Sequence, residues 1–325
     1  MNKQLQNLKK ILPGLLLLVL VILMIFLGYR ILTDASKSKE NPYEYDIGAL
    51  KEIDPALIQY TEVKTIKTGQ QKLNALALDQ KERLYVAGDT SLMIFNQKGE
   101  ISSKVKLKAP VFCLAISAEN EIFLGLRDNI EIFDSTGSFK SAWKGAGENA
   151  YFTSIAIENE NVYVADAGNR IVYRFNKAGE LLNRIGEKDE SQQIPGFIVP
   201  SPYFDLAIGT DGTLWVVNPG RHSLENYTAD GNLRSWWQKT SMQVDGFCGC
   251  CNPSHIAIMA DGSFVTSEKG IVRVKIHKPT GEFASVVAPP SHFSPDTEGM
   301  DLAVGSDGKI YVLDPKAGLV RIFIK

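Results

Sequence analysis

The chain is poor in the side chains that most often carry chemistry: 325 residues hold only four histidines and four cysteines. Neither sign of charge dominates, with 35 Lys and Arg against 37 Asp and Glu and a formal net charge of -2. No run of Lys and Arg is interleaved with aromatics. Binding to a phosphate backbone needs a concentrated basic face, so no nucleic-acid partner is expected. There is no HExxH helix, no glycine-rich phosphate loop and no Ser-His-Asp order, which removes the commonest sequence signatures of hydrolysis and nucleotide binding. Beyond the first 60 or so residues the sequence has no compositional mark of disorder. At 44% hydrophobic and 22% charged it reads as an ordinary globular protein.

Long apolar runs are also missing, with one exception. From Ile11 to Leu27 the sequence ILPGLLLLVLVILMIFL carries no polar side chain. As a helix it is about 25 Å long, enough to span a bilayer with slight thinning or snorkelling at its flanks. A cleaved signal peptide has a shorter apolar core and ends at small residues, whereas this run continues into Gly28-Tyr29-Arg30, so an uncleaved anchor is expected. No cysteine follows for lipid attachment. Lys3, Lys9 and Lys10 before the run are matched by Arg30, Lys37 and Lys39 after it, so the flanking charges leave orientation open. Exporting a short tail with three lysines and an amino terminus is the costlier arrangement. The N-terminus is therefore placed in the cytoplasm and the bulk outside the membrane, periplasmic in a Gram-negative envelope, where thiols meet oxidising conditions. The expected organisation is residues 1–33 as tail and anchor, 34–59 as a polar linker with one helical turn near Ala49 to Ile53, and 60–325 as the folded part.

The folded part repeats. LNALALD, VFCLAIS, TSIAIE, YFDLAIG, SHIAIM and MDLAVG share an alanine, at Ala77, Ala115, Ala156, Ala207, Ala257 and Ala303. Each is followed by a turn, an apolar or aromatic strand such as RLYVA or TLWVV, and a third strand such as LMIFN or VRIFI. Five of the six then reach a glycine turn and a fourth strand. Six four-stranded meanders predict an all-β fold, a six-bladed β-propeller. The sixth unit lacks its outer strand because the chain stops at Lys325. The stretch YTEVKTIKT (Tyr60 to Thr68) has strand composition and no other partner, so it is expected to fill that place and close the ring. The sequence resembles the NHL-repeat family of six-bladed propellers, most clearly in NVYVADAGNRIVYRFNKAGELL of blade three. That resemblance implies the fold and leaves the activity open, since propellers serve as enzymes, scaffolds and receptors.

Loop length indicates which part of the ring is used. The interval between successive reference alanines lengthens after Ala156, mostly in the loops that enter blades four, five and six. GFIVPSPYFDLA (Gly196 to Ala207) and GFCGCCNPSHIA (Gly246 to Ala257) have the same length and the same Gly-Phe start, and Phe293 holds the matching place before Ala303. The route of the backbone therefore does not need cysteine, and Cys248, Cys250 and Cys251 are present for their sulfur. Two residues before the alanines stand Ala75, Cys113, Ser154, Asp205, His255 and Asp301, which with a period of two share the alanine face and are expected to meet the central channel. Asp205 and Asp301 sit among apolar residues. They either hold backbone N–H groups and channel water, or form a channel-centre site for a cation or substrate. His222 occupies the place of Arg170 in blade three and reads as a contact between blades. His277 reads as solvent-exposed, Trp236-Trp237 as outer-strand packing or a surface patch, and His292 as a loop residue able to join a site on the cysteine face.

Three readings of C-x-C-C stand at this point. It is a thiolate site for zinc, copper or an iron–sulfur cluster, completed by His255 or Cys113; a redox-active pair of thiols; or a structural disulfide. Cys113, flanked by Phe112 and Leu114, also reads as a small buried apolar residue. The function expected is a membrane-tethered propeller whose cysteine loop binds a metal or does thiol redox work beside a membrane protein partner. The alternatives are a metal-dependent hydrolase or lyase using Asp205, His255 and Asp301, and an interaction scaffold without catalysis.

Overall fold

A computed structural model describes residues 2–36, 47–89, 91–190 and 195–325. The chain divides into two compact units, Met1–Asp46 and Ile47–Lys325. The first contains one helix, Asn2–Ser36. Within it Leu12–Arg30 is apolar and long enough to cross a membrane, with a mean hydropathy of 2.7. By length and composition this stretch suits a membrane anchor or a signal sequence. Lys37 and Lys39, used above in the charge comparison, lie outside the described residues, as do residues 37–46 of the expected linker, while its first residues, 34–36, end the helix.

The second unit consists of six antiparallel four-stranded sheets, the blades. Their innermost strands are Leu73–Leu78, Cys113–Ile116, Phe152–Glu158, Leu206–Ile208, His255–Ile258 and Leu302–Val304. Each touches the innermost strand of the next blade, and that of blade six touches that of blade one, so the blades form a ring. In blades one to five the four strands follow one another in sequence. Blade six instead takes its outermost strand, Thr61–Lys67, from the N-terminal side, where it pairs antiparallel with Leu319–Ile324.

The hydrophobic pattern explains where the core lies. Middle strands such as Leu84–Gly88, Ser91–Phe95 and Ile310–Asp314 are buried at every position, because both faces of each blade meet a neighbour. The core is accordingly six clusters, each between two adjacent blades. The outer strands, by contrast, are mostly solvent-facing, as in Phe139–Ala142. Blade five is the exception: Ser285 to Ala288 of its outer strand are buried. Ile58 bridges to Val286 in parallel, and the Gln59 N–H donates to the Val286 carbonyl at 3.2 Å. Residues expected to belong to the linker thus cover a sheet edge that would otherwise offer unpaired backbone groups. Gly48–Lys51 forms the single α-helical turn of this segment, and Pro55–Leu57 adds a 3₁₀ turn capped by the Asp54 carboxylate.

Candidate functional site

The channel is built from the innermost strands. A cavity of about 270 Å³ runs along it, lined by all six reference alanines and by Cys113, Ser154, Asp205, His255 and Asp301. Small alanines recur because six strands converge on the axis and larger side chains would fill it. The polar residues have a common task. The Asp301 carboxylate accepts from the Leu76 N–H of blade one at 2.7 Å and from the Leu302 N–H at 2.8 Å. Asp205 accepts from the Ile256 N–H of blade five at 2.7 Å. Ser154 Oγ accepts, more weakly, from the Leu206 N–H of blade four at 3.4 Å. Leu76, Ile256 and Leu206 occupy equivalent places, just before a reference alanine. Three positions before the alanine, the Asn74 amide and the Thr153 hydroxyl donate to the carbonyls of Val111 and Phe204, again one blade on, at 2.7 and 2.5 Å. These side chains staple blade to blade through backbone groups that the short inner strands leave unpaired. Both carboxylates thus hold backbone N–H groups, the first of the two roles open to them.

Enclosure changes their titration. Burial, and then the Asp205 charge, pushes the Asp301 carboxyl up to about 8. Asp205 is raised by burial, against the opposing effects of His255, Ser154 and the backbone donors. Burial pushes the His255 imidazole down, with Asp205 pulling the other way. The Cys113 thiol is raised by burial and then by the Asp301 and Asp205 charges. Cys113 is therefore a buried channel-wall residue. Its sulfur fills the space over Gly125, where an added Cβ would lie 2.3 Å from it.

Above the channel lies a mouth of about 440 Å³, and Asn74, Phe112, Thr153 and His255 line both spaces. Phe112 and Tyr151 pack at 5.0 Å between ring centroids. Tyr203 sits 6.1 Å from the His255 ring and donates its hydroxyl to Glu298 at 2.7 Å, linking the loops that enter blades four and six.

The cysteine loop is held from below. Phe247 is fully buried between blades four and five, near Trp237 and His277, just as Phe197 and Phe293 are buried in their own loops. Glu268, Arg273 and Lys275 form an ion cluster with no solvent exposure: Arg273 Nε and Lys275 Nζ lie 2.9 and 2.6 Å from Glu268 Oε1. Arg273 also donates to the carbonyls of Gln243 and Gly246, and Lys275 to that of Gly246, so the cluster ties down the stem of the loop. Burial brings Lys275 down to about 8. Past the stem, Gly249 takes φ +77°, a turn that a side chain would strain. Its carbonyl accepts from His222 Nε2, whose Nδ1 faces the Thr240 hydroxyl at 3.0 Å. Asn252 reaches back to the Cys248 carbonyl at 2.7 Å and to both backbone groups of Lys269.

All four cysteines are free thiols. Cys250 is exposed and Cys251 buried, with their sulfurs 3.2 Å apart. Burial raises the Cys251 thiol, while Ser201 favours the thiolate. Cys248 is raised by burial and by the Glu268 charge. The expected set Cys248, Cys250, Cys251 and His255 is thus dispersed: Cys248 feels the ion cluster, Cys251 points toward Ser201 and Tyr203, and His255 belongs to the channel. Among the described residues no three His, Cys, Asp or Glu side chains come together as a metal-binding group.

No protein-family model matches the chain, and no curated protein matches it. Solved structures do. Streptogramin B lyase aligns with a TM-score of 0.58 at 12% identity, over 82% of this chain and 97% of the other. Selenomethionine-substituted virginiamycin B lyase from Staphylococcus aureus gives 0.58 at 13% identity, over 82% and 100%. A catalytically inactive variant of that lyase, with quinupristin, gives 0.56 at 12% identity, over 82% and 100%. At such identities the likeness is one of fold.

Two histidines differ from expectation. His277 is fully buried rather than exposed, ringed by Trp237, Phe247 and Phe283 at 5.0 to 6.1 Å, and burial pushes it down to about 3. The tryptophan of blade four and the loop phenylalanine close over it, which a strand-end position does not reveal. His292 does not join the cysteines. It faces Glu62 at 3.9 Å and the ring of Phe323 at 5.8 Å, beside the strand contributed from the N-terminal side. The ion cluster was not foreseen. Its signal is present in VTSEKGIVRVKIH, where charges fall within strands that elsewhere are apolar.

Proposed function

We propose that this chain is a membrane-tethered, extracytoplasmic propeller of NHL type whose Cys250–Cys251 pair carries out thiol–disulfide exchange with a partner protein at the membrane. The observation that carries the reading is the 3.2 Å approach of an exposed and a buried sulfur in neighbouring residues. The stretch Asn161 to Leu182, folded as second, third and entry to fourth strand of blade three, supports the NHL kinship. The chemistry needs one co-reactant, a disulfide on the partner. Cys250, as thiolate, attacks one partner sulfur and the other leaves as thiolate. Cys251, as thiolate, then attacks Cys250 Sγ and releases the second partner sulfur. Two electrons pass to the partner, whose sulfurs take up the two protons that the pair gives up.

Metal binding is the less supported branch, because the side chains required do not converge. The test uses full-length protein in detergent, oxidised with diamide, alkylated and digested. A loss of about two mass units within the peptide bearing Cys250 and Cys251, absent from Cys250→Ser and Cys251→Ser, is expected. Independent alkylation of both residues after oxidation would overturn the proposal.

A second reading, hydrolase- or lyase-type chemistry in the channel, is favoured by one observation. His255 Nδ1 is buried without a hydrogen-bond partner beside Asp205, in a fold shared with lyases. Its metal-dependent form meets the difficulty that Asp205 and Asp301 are engaged by backbone N–H groups.

A further inference from the structure

We infer that the mouth and channel together form a binding site for an organic ammonium ion with a compact apolar body, the ammonium group lying by His255 and the body against Phe112 and Tyr151. The inference stands apart from the thiol reading, since the mouth and channel linings do not include the loop cysteines.

The shape comes first. Two spaces of about 440 and 270 Å³ share Asn74, Phe112, Thr153 and His255, so they form one funnel of the size that takes small molecules. Its walls are unequal. Blades two to four present half-buried aromatics, Phe112, Tyr151 and Tyr203, while blades five, six and one present polar groups. The two mouth lysines are already engaged, Lys72 with Asp89 at 3.1 Å and Lys316 with Asp296. No lysine or arginine lines the channel.

Hydrogen-bonding capacity then selects the ligand. His255 lines both spaces, and its Nδ1 is buried and unpartnered among the described residues. Burial favours the neutral ring, one of whose nitrogens is an acceptor. Below it, the Asp205 and Asp301 carboxylates each retain lone pairs after accepting their backbone N–H groups. The deep end therefore offers acceptors and the Asp205 charge, with no lysine or arginine in its lining. A ligand rich in donors and positive charge satisfies it. The Phe112 and Tyr151 rings above add cation–π attraction and apolar contact, which a hydrated inorganic cation would not use, whereas the Tyr203 ring already carries Lys269 Nζ at 4.8 Å. The acceptors and the rings thus point to the same class: a primary ammonium on a small apolar or aromatic skeleton.

The experiment uses full-length protein in dodecylmaltoside, titrated calorimetrically with benzylammonium and phenethylammonium. Their neutral counterparts, benzyl alcohol and phenethyl alcohol, are titrated in parallel, and protein-free micelles correct for partitioning. Binding of at least one ammonium is expected, with its alcohol weaker by about tenfold. His255→Ala and Tyr151→Leu should each weaken the ammonium by about threefold or more. Asp205→Asn should do so too where it folds; the other two replace residues that do not staple blades and keep the test open if it does not. Equal affinity for ammonium and alcohol, absence of binding by both ammonium ions, or unchanged affinity in His255→Ala would each overturn the inference.

Discussion

Replacing Asp301 by asparagine tests the electrostatics of the channel. The carboxyl is held up to about 8 in the folded protein, from an ordinary value of 3.8, first by burial and then by the Asp205 charge. A carboxyl raised in this way keeps its proton in the folded state after the unfolded chain has lost it. Its contribution to stability is full below the unfolded value and disappears as pH rises through the folded one. Within that window one such proton costs about 1.4 kcal/mol of stability per pH unit. From pH 5 to pH 7 the loss is about 3 kcal/mol, or roughly 6 to 10 °C in thermal midpoint for a unit of this size. Asparagine mimics the neutral carboxyl but can accept only one of the two backbone N–H groups, losing about 1 kcal/mol. Asp301→Asn should thus be slightly less stable than the wild type at pH 4, more stable at pH 6 and above, and cross it at about pH 4.5. Thermal unfolding of the full-length protein in detergent, followed by near-UV circular dichroism, reads both curves. Asp205→Asn should move the wild-type decline to lower pH, because it removes the second cause of the Asp301 shift. Parallel curves for the wild type and Asp301→Asn would refute the assignment of a raised carboxyl to this residue.

Three further outcomes are expected. Glu268→Gln leaves Arg273 and Lys275 as buried cations without their counter-charge and should destabilise the propeller by about 3 to 5 kcal/mol, seen as a lower denaturation midpoint in urea; a change under 1 kcal/mol would mean that water reaches the cluster. Deleting Thr61–Lys67 should severely lower the thermal midpoint, since the edge of Leu319–Ile324 loses its partner, and an unchanged midpoint would show that blade six stands without it. The full chain should resist extraction from membranes by alkaline carbonate, and a mature N-terminus beyond Arg30 would show instead that the apolar helix is a signal sequence.

The propeller was legible because its signals are local and repeated. Alanines at a fixed register, the turns after them and alternating strands give the same answer six times, and the parity argument from Ala156 and Ala207 identified Ser154 and Asp205 as channel residues. The partners of those residues were not legible. That Asp301 reaches Leu76 depends on how blade six meets blade one, a relation between residues 225 apart. The cysteine loop shows the same limit. Comparison with Ile198 to Ser201 isolated its sulfurs as the special feature, yet three cysteines within four residues suggested convergence. A left-handed Gly249 and the buried stem instead direct Cys248 and Cys251 to different surroundings. Likewise His277 looked exposed because a strand end beside a turn usually is, whereas Trp237 from a neighbouring blade and the loop Phe247 enclose it.

The seam in blade six also sets an order of events during synthesis. Thr68 bonds to Gly318 through both its N–H and its hydroxyl, across 250 residues, so the first strand to leave the ribosome is the last to find its place. At about 5 to 20 residues per second, that strand waits roughly 10 to 50 s with its hydrogen-bonding groups unfilled. During the same interval blades one to five can already assemble, leaving a ring with one gap. The nascent propeller is therefore most open to proteases and to pairing with other chains until Leu319–Ile324 emerges, and that strand acts as the latch. Losing even a few residues of Leu319–Ile324 would leave a ring that cannot shut.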